Sequence, residues 1–351
     1  MKKPATLLKQ IKGTRGAVAV YVAILLIVFI GFIALAVDIG YVMVVRNQLQ
    51  NAADASALAG CNKFYYPPAP VTMPPFPDPY WQSAESAAAA AVSDNKADNK
   101  QLELGDIVTG YWDITQSSLG LRDKSTYTPT TNDGPAIQVA IAKTGAKNSG
   151  AILTFFAGIL GIETVDMSAQ ATAVAASPGS VKTGALVPYA ISEDTVEKFG
   201  LNEVFTIGTP YLNPEDAGQW TSFYLNTQKV PDIRTLLENG NQTTVTIGDN
   251  IFIQCGVKDN LYYQKQQTSM HNEYAGKDVF LPIIAEGVLD QTGMTVPVIG
   301  FIGFHVICAG DGCNEGPNLK IVRGYFTTAP NFGSGPIGPH YGPLDQCRLC
   351  Q

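Results

Sequence analysis

Apolar positions crowd one end of the chain. From Gly16 to Val37 the run GAVAVYVAILLIVFIGFIALAV holds no charged residue. As a helix it spans about 33 Å, enough for a bilayer core of about 30 Å. A secretory signal peptide has an apolar core of about 7–15 residues and closes on a small-residue cleavage site. This run is longer and lacks such a site, so it predicts a retained membrane anchor. After Asp38 the apolar pattern resumes as IGYVMVV, and RNQLQNAADASALAG carries it to Gly60 with no proline and no strand signal. Two placements are open for Asp38. It can sit at the outer headgroup layer, with Ile39–Val45 packed on the protein's own body, or it can face a partner inside a helical assembly, because acids within membranes face protein. Ala52, Ala55, Ser56, Ala59 and Gly60 recur at three- and four-residue spacing. Such a stripe lets a second helix approach closely, although an Ala-rich helix buried on its own domain has the same pattern. Asp38, Tyr41, Leu49, Ala52, Ala55, Ser56 and Ala59 are therefore the candidate helix-packing positions.

Beyond Gly60 the periodicity changes. Seven prolines between Phe64 and Pro79 exclude a helix, so residues 61–79 read as an extended linker. Asp78-Pro79 supplies an N-cap and first helical position for a helix through YWQSAESAAAAAVSDN. Strand alternation follows at Ile107–Trp112 and Ile137–Ile141. The apolar stretch GAILTFFAGIL, ending at Leu160, predicts a buried helix too short to span a bilayer. A strand around Thr164–Val174 completes a small α+β domain, residues 80–176, joined at the sequence SPGS to the C-terminal half of the chain.

Residues 177–351 have a stronger β bias. Val245, Ile247, Ile251 and Ile253 flank the hairpin signal Gly248-Asp249. Val279–Ile284, Val296–Ile307 and Leu319–Phe326 supply further strands, and Glu193–Phe199 and Pro231–Glu238 short helices. The Gly/Pro-rich tail APNFGSGPIGPHYGPL is expected to wrap the surface rather than join a sheet. The fold class is α+β: a single transmembrane helix with a long helical extension, a small α+β domain and a mainly β C-terminal domain.

Composition sharpens the topology. The chain has 351 residues, 46% hydrophobic, which is enough for a sizeable core, yet only 15% are charged, against about 25% in soluble domains. Residues 1–15 hold five cations (Lys2, Lys3, Lys9, Lys12, Arg15) and no acid, which leaves 18 cations against all 30 acids in the rest. Basic flanks stay inside, so residues 1–15 read as a cytoplasmic stub and the body as lying outside the cytoplasmic (inner) membrane. The acidic body excludes a nucleic-acid partner, since phosphate binding needs clustered Lys and Arg.

The run from Arg15 to Gly60 resembles the N-terminal segment of Tad-type pilus-assembly proteins, and more closely the TadG-like group of the Flp (tight adherence) pilus system. The shared elements are Arg15-Gly16, the long apolar helix, Asp38 near its outer end, Gln48-Leu49-Gln50, and Ala52-Ala53-Asp54-Ala55 with Ala57-Leu58-Ala59 following. The rest is similar in general layout to the extracytoplasmic part of those proteins, including GALVPYAIS. The resemblance implies a membrane-anchored structural component that assists assembly or display of an adhesive pilus, docking through Gly16–Gly60 on pilus or platform proteins. Flp pilins carry a Glu-Tyr pair at the fifth and sixth positions after the glycine. Tyr21 and Val22 stand there in this chain, so an uncleaved anchor is expected.

Chemistry concentrates in the cysteines. Cys255, Cys308, Cys313, Cys347 and Cys350 are disulfide candidates in an oxidising compartment. Cys308 and Cys313 bracket a turn, and Cys347 or Cys350 can staple the tail to the body. Cys308, Cys313, Cys347 and Cys350 could instead hold a zinc ion, although the spacing between the two pairs exceeds the usual 15–20 residues or so. That alternative makes the chain a membrane-tethered zinc- or thiol-dependent binding protein. Cys61, at the membrane exit, is expected to be solitary or to cross-link two chains. No His-Glu-x-x-His or Gly-x-Ser-x-Gly occurs, and Gly333-Ser-Gly335-Pro-Ile-Gly338 lacks the strand and helix of a dinucleotide site. No enzyme, cofactor or small-molecule ligand is expected.

Overall fold

The computed structural model describes residues 14–65, 79–130, 132–200, 202–208, 218–254, 259–285, 293–314, 320–327, 333–338 and 346–350. Helix α1 (Thr14–Cys61) runs unbroken for 48 residues, about 72 Å at 1.5 Å per residue. Its two halves live in different surroundings. Between Val18 and Val37 its side chains stand exposed around the whole circumference, with Ala34 alone half-covered. From Asp38 onward one face is buried, through Val45, Leu49, Ala52, Ala53, Ser56, Ala57 and Cys61 at helical spacing.

The chain turns at Asn62–Tyr65, and Tyr80 lies against that turn. Tyr80 N–H donates to Phe64 O at 2.8 Å, and the Phe64 and Trp81 rings meet edge to face at 5.3 Å. The segment expected as a spacer therefore has its two ends joined, and α2 (Trp81–Asp94) packs beside the second half of α1. Helix α2 is capped by Tyr80, two residues later than expected, while Asp78 lies outside the described residues.

Two short strands, β1 (Lys96–Ala97) and β2 (Lys100–Gln101), form a ribbon before the first sheet. That sheet contains β3 (Asp106–Asp113), β4 (Leu121–Asp123) and β5 (Asp133–Lys143). A two-stranded ladder, β6 (Ile152–Leu153) with β7 (Thr164–Val165), leads into β8 (Met167–Val181), and β8, β5, β3 and β4 lie side by side, antiparallel. Side chains alternate across it. Ile137, Val139 and Ile141 of β5 and Ala169, Ala171, Ala173 and Ala175 of β8 face α1 and α2, whereas Ala136, Val174 and Ala176 face the other way with Trp112 and Leu121.

The second sheet takes β9 (Tyr189–Ser192), β10 (Phe205–Ile207) and β11 (Gly218–Trp220), with α3 (Glu193–Lys198) between the first two and α4 (Val230–Asn239) after the third. Two short strands, β12 (Val245–Thr246) and β13 (Asn250–Phe252), and two short helices, α5 (Asp259–Tyr262) and α6 (Met270–Tyr274), precede the long strands β14 (Lys277–Ile284), β15 (Thr295–Ala309) and β16 (Val322–Phe326). Its order is β10-β16-β15-β14-β9-β11, and β9 with β14 is its parallel pair. Trp220, Tyr189, Tyr262, Phe280, Phe301 and Phe304 fill its core. This sheet bears out the mainly β reading of the C-terminal part.

Four expectations are corrected. The joint at Ser177–Ser180 lies inside β8, which passes through it as continuous strand. The Gly248-Asp249 turn forms, but β12 pairs with β8 and β13 with β15, so the two strands diverge rather than make a hairpin. The tail returns as β17 (Gly333–Gly338) and β18 (Gln346–Cys350), both antiparallel to β8. A 15-residue strand has backbone groups to satisfy on both edges, and the tail meets that demand; the register shifts between Ser334 and Ile337, where Pro336 has no N–H to donate. Finally, residues 150–160 are not a buried helix. They form β6 and a single 3-10 turn at Ala157–Leu160, whose Ile159 and Leu160 side chains are exposed.

Candidate functional site

The features that set this protein apart gather where α1 leaves its exposed half. Asp38 ends the uncharged run, and it is 4% exposed. Its Oδ1 accepts a hydrogen bond from Phe155 N–H at 2.7 Å, and its Oδ2 accepts from Phe156 N–H at 3.0 Å and Ala157 N–H at 2.6 Å. Three donors converge because the 3-10 turn leaves its first amides unpaired within the turn, and a carboxylate satisfies several at once. Asp38 thus finds its partner in the protein's own chain. One turn further, Tyr41 donates to the Asp98 carboxylate and packs edge to face on Phe155, ring centres 5.1 Å apart. Gln48 and Gln50 continue the seam: Asp98 N–H donates to Gln48 Oε1 at 2.9 Å, and Gln50 Nε2 donates to Gln170 O at 3.1 Å.

The small-residue stripe has a partner of the same kind. Ala52, Ala53 and Ala57 of α1 belong to the same buried core as the alanine ladder of β8, and Ser56 and Gly60 are buried beside them on the helix. Small side chains on both surfaces let helix and sheet backbones approach closely. At Gly60 no side chain fits: a Cβ there would lie 2.6 Å from Ile137 Cδ1 and 2.8 Å from Ala84 O. Of the candidate helix-packing positions, Leu49, Ala52 and Ser56 are buried on the protein's own body, Ala59 and Tyr41 are half-buried, and Ala55 is exposed. Face-to-face docking of a partner helix on Leu49, Ala52 and Ser56 is therefore corrected: the first sheet occupies that surface.

Cysteine pairing also departs from expectation. Cys61, read as solitary, bonds Cys347 of β18, with Cα atoms 5.8 Å apart across 286 residues of chain. It closes the exit end of α1 onto the returning tail. Cys308 bonds Cys313 at the end of β15, with Cα atoms 5.1 Å apart. With Cys308, Cys313 and Cys347 oxidised, the four-thiolate zinc set Cys308, Cys313, Cys347 and Cys350 does not assemble. Cys347 and Cys350 are three residues apart on one strand, so they point to opposite faces, Cys347 toward the helices and Cys350 toward the other core. Burial pushes the Cys350 thiol up to about 11, which keeps it protonated and unreactive at neutral pH. Cys255 lies outside the described residues.

Sequence reasoning missed the contact between Asp38 and residues 155–157, which lie more than 110 positions apart. The available signal was an uncharged, apolar stretch with no helical partner of its own. The clamp also makes a prediction. Asp38→Ala strands three amides without an acceptor, so exchange at Phe155–Ala157 accelerates about tenfold or more. Hydrogen–deuterium exchange read by mass spectrometry checks it, and unchanged protection of that peptide would remove the clamp.

These elements define a class: an α+β body, closed by a disulfide, whose founding helix extends far outside it as a bare apolar rod. Among the described residues this is the one helix long and apolar enough to cross a membrane. The sequence comparisons agree. Residues 16–63 match the family model described as Putative Flp pilus-assembly TadE/G-like, and residues 74–173 that described as Putative Tad-like Flp pilus-assembly. The part of the chain that carries α1 and most of the first sheet is thus similar to the Tad families of Flp pilus assembly. No curated protein and no solved structure matches the chain.

Proposed function

We propose that this protein is a non-catalytic, single-pass component of a Flp-type pilus system, anchored in the cytoplasmic (inner) membrane with its basic N-terminus in the cytoplasm. The observation that carries the reading is the matched segment 16–63: its first half is an exposed apolar rod, and its second half is built into the folded body. Movement of the rod is thereby transmitted to the body without a hinge, which suits a part that holds or aligns other subunits. Because Leu49, Ala52 and Ser56 are covered, pilus or platform proteins reach the helix through Val18–Val37 and through exposed positions such as Met43, Val44 and Ala55.

Photocrosslinking in intact membranes tests the reading. A crosslinker at Val44 is expected to capture a protein of the pilus apparatus, whereas one at Leu49 gives only crosslinks within the chain. Loss of the protein is expected to reduce surface pili. Pili in normal number, together with no captured neighbour at Val44, would count decisively against a role in assembly.

A further inference from the structure

From Asn148 to Ile162 the chain carries no charged residue, yet from Leu153 on most of its side chains lie on the surface. Leu153, Phe155, Phe156, Ile159, Leu160 and Ile162 are all exposed, Ile159 at 85% and Leu160 at 79%. A patch of this kind marks a contact with something apolar. Its position says with what. Asp38, the first charge after the uncharged run of α1, grips the amides of Phe155, Phe156 and Ala157, so the loop is fastened at the level where the rod meets the body. The loop packs on α1, and Ala34, one turn into the apolar half, is the half-covered residue of that half. The loop thus lies beside α1 where its apolar half ends.

The backbone points the same way. Thr154 N–H donates to Glu163 O at 3.0 Å, Ile159 N–H to Phe156 O at 3.1 Å, Gly161 N–H to Gly158 O at 3.0 Å, and Ile162 N–H to Ala157 O at 3.1 Å. Thr154 Oγ1 donates to Ile162 O at 2.6 Å. With the three amides held by Asp38, seven of the loop's backbone donors are satisfied internally. Internal pairing of this kind leaves few backbone donors to be stripped of water on entering an apolar phase.

We infer that the loop Leu153–Ile162 inserts into the outer leaflet of the membrane that α1 crosses, giving the body a second lipid contact that sets its orientation on the bilayer. The inference rests on α1 spanning the bilayer, as proposed above, and goes beyond it.

The test uses the full chain in vesicles of phosphatidylcholine and phosphatidylglycerol, with Cys255→Ser and Cys350→Ser replacing the other two cysteines. An environment-sensitive fluorophore is attached at Leu153→Cys, Ile159→Cys or Leu160→Cys, each an exposed position whose replacement leaves the core intact. Val28→Cys serves as the membrane control and Val204→Cys, exposed just ahead of β10, as the water control. Brominated acyl chains should quench the three loop positions and Val28 several-fold more than Val204, and aqueous iodide should do the reverse. Quenching of the loop by iodide as at Val204, with Val28 still quenched by lipid, overturns the inference and leaves the anchor standing. Protection of the loop from both quenchers means that protein covers it, which also overturns the inference. Failure of lipid to quench Val28 overturns the anchor and the inference together.

Discussion

Replacing Cys61 or Cys347 by serine is expected to lower stability by about 4 kcal/mol, the largest single effect in the molecule. The Cys61–Cys347 bond closes a loop of 286 residues. Constraint of the unfolded chain grows with loop length, and the measured range for disulfides reaches about 5 kcal/mol. At roughly 2–4 °C per kcal/mol for a body of this size, the melting temperature falls by about 10 °C. The two single variants and the double variant should melt together, because all three remove the same bond. The Cys308–Cys313 bond spans five positions, so its loss costs far less. Thermal melts of the detergent-solubilised protein, with a non-reducing gel alongside, decide the matter. If Cys61→Ser instead abolishes a disulfide-linked dimer and leaves the melt unchanged, Cys61 joins two chains and the staple is wrong.

Leu49→Ala is expected to cost about 3 kcal/mol, within the range of about 2–5 kcal/mol for deleting a fully buried leucine. Leu49 is 0% exposed and packs in the core shared by α1, α2 and the first sheet. Ala55→Leu, on the open face of the same helix, should stay within about 0.5 kcal/mol. Gly60→Ala separates two opposing terms. Alanine gains about 1 kcal/mol of helix propensity over glycine. Its methyl group, however, meets Ile137 Cδ1 at 2.6 Å, Ala84 O at 2.8 Å and Ala88 Cβ at 3.0 Å. The isoleucine terminus can rotate away, but Ala84 O is backbone of α2 and must move with its helix. Overpacking of that kind costs about 1–3 kcal/mol, so the sign is destabilising. Urea denaturation of the three variants tests the orientation of α1. A neutral Leu49→Ala beside a costly Ala55→Leu would show that the helix presents the opposite face to the body.

Much of the fold was legible in the residues. The uncharged run to Val37, the strands at 107–112, 137–141, 279–284 and 296–307, and the helices near 193–199 and 231–238 each have a local pattern strong enough to announce themselves. What failed to show was always a question of partner. The stripe at Ala52, Ser56 and Gly60 has the same spacing whether a second helix or a sheet lies on it. It took the alanines at 169, 171, 173 and 175 to make the sheet the answer. The stretch at 150–160 has the apolar pattern of a buried segment, yet it sits on the surface, and an apolar pattern alone cannot name the solvent it faces. The tail's glycines and prolines argue against a place in a sheet. The unmet hydrogen bonds of β8 recruited it nevertheless.

Local patterning therefore determined that the chain has one long membrane-competent helix, a family-specific exit from it, and an α+β body with a mainly β end. These follow from composition and period within windows of tens of residues. Tertiary structure alone decided that half of the anchor helix is core, that Cys61 pairs with Cys347, and that Asp38 holds a loop 117 to 119 residues away. The physical reason is common to all three. Each is a contact between segments whose own sequences are satisfied by several partners, and only the closing of the whole chain selects one.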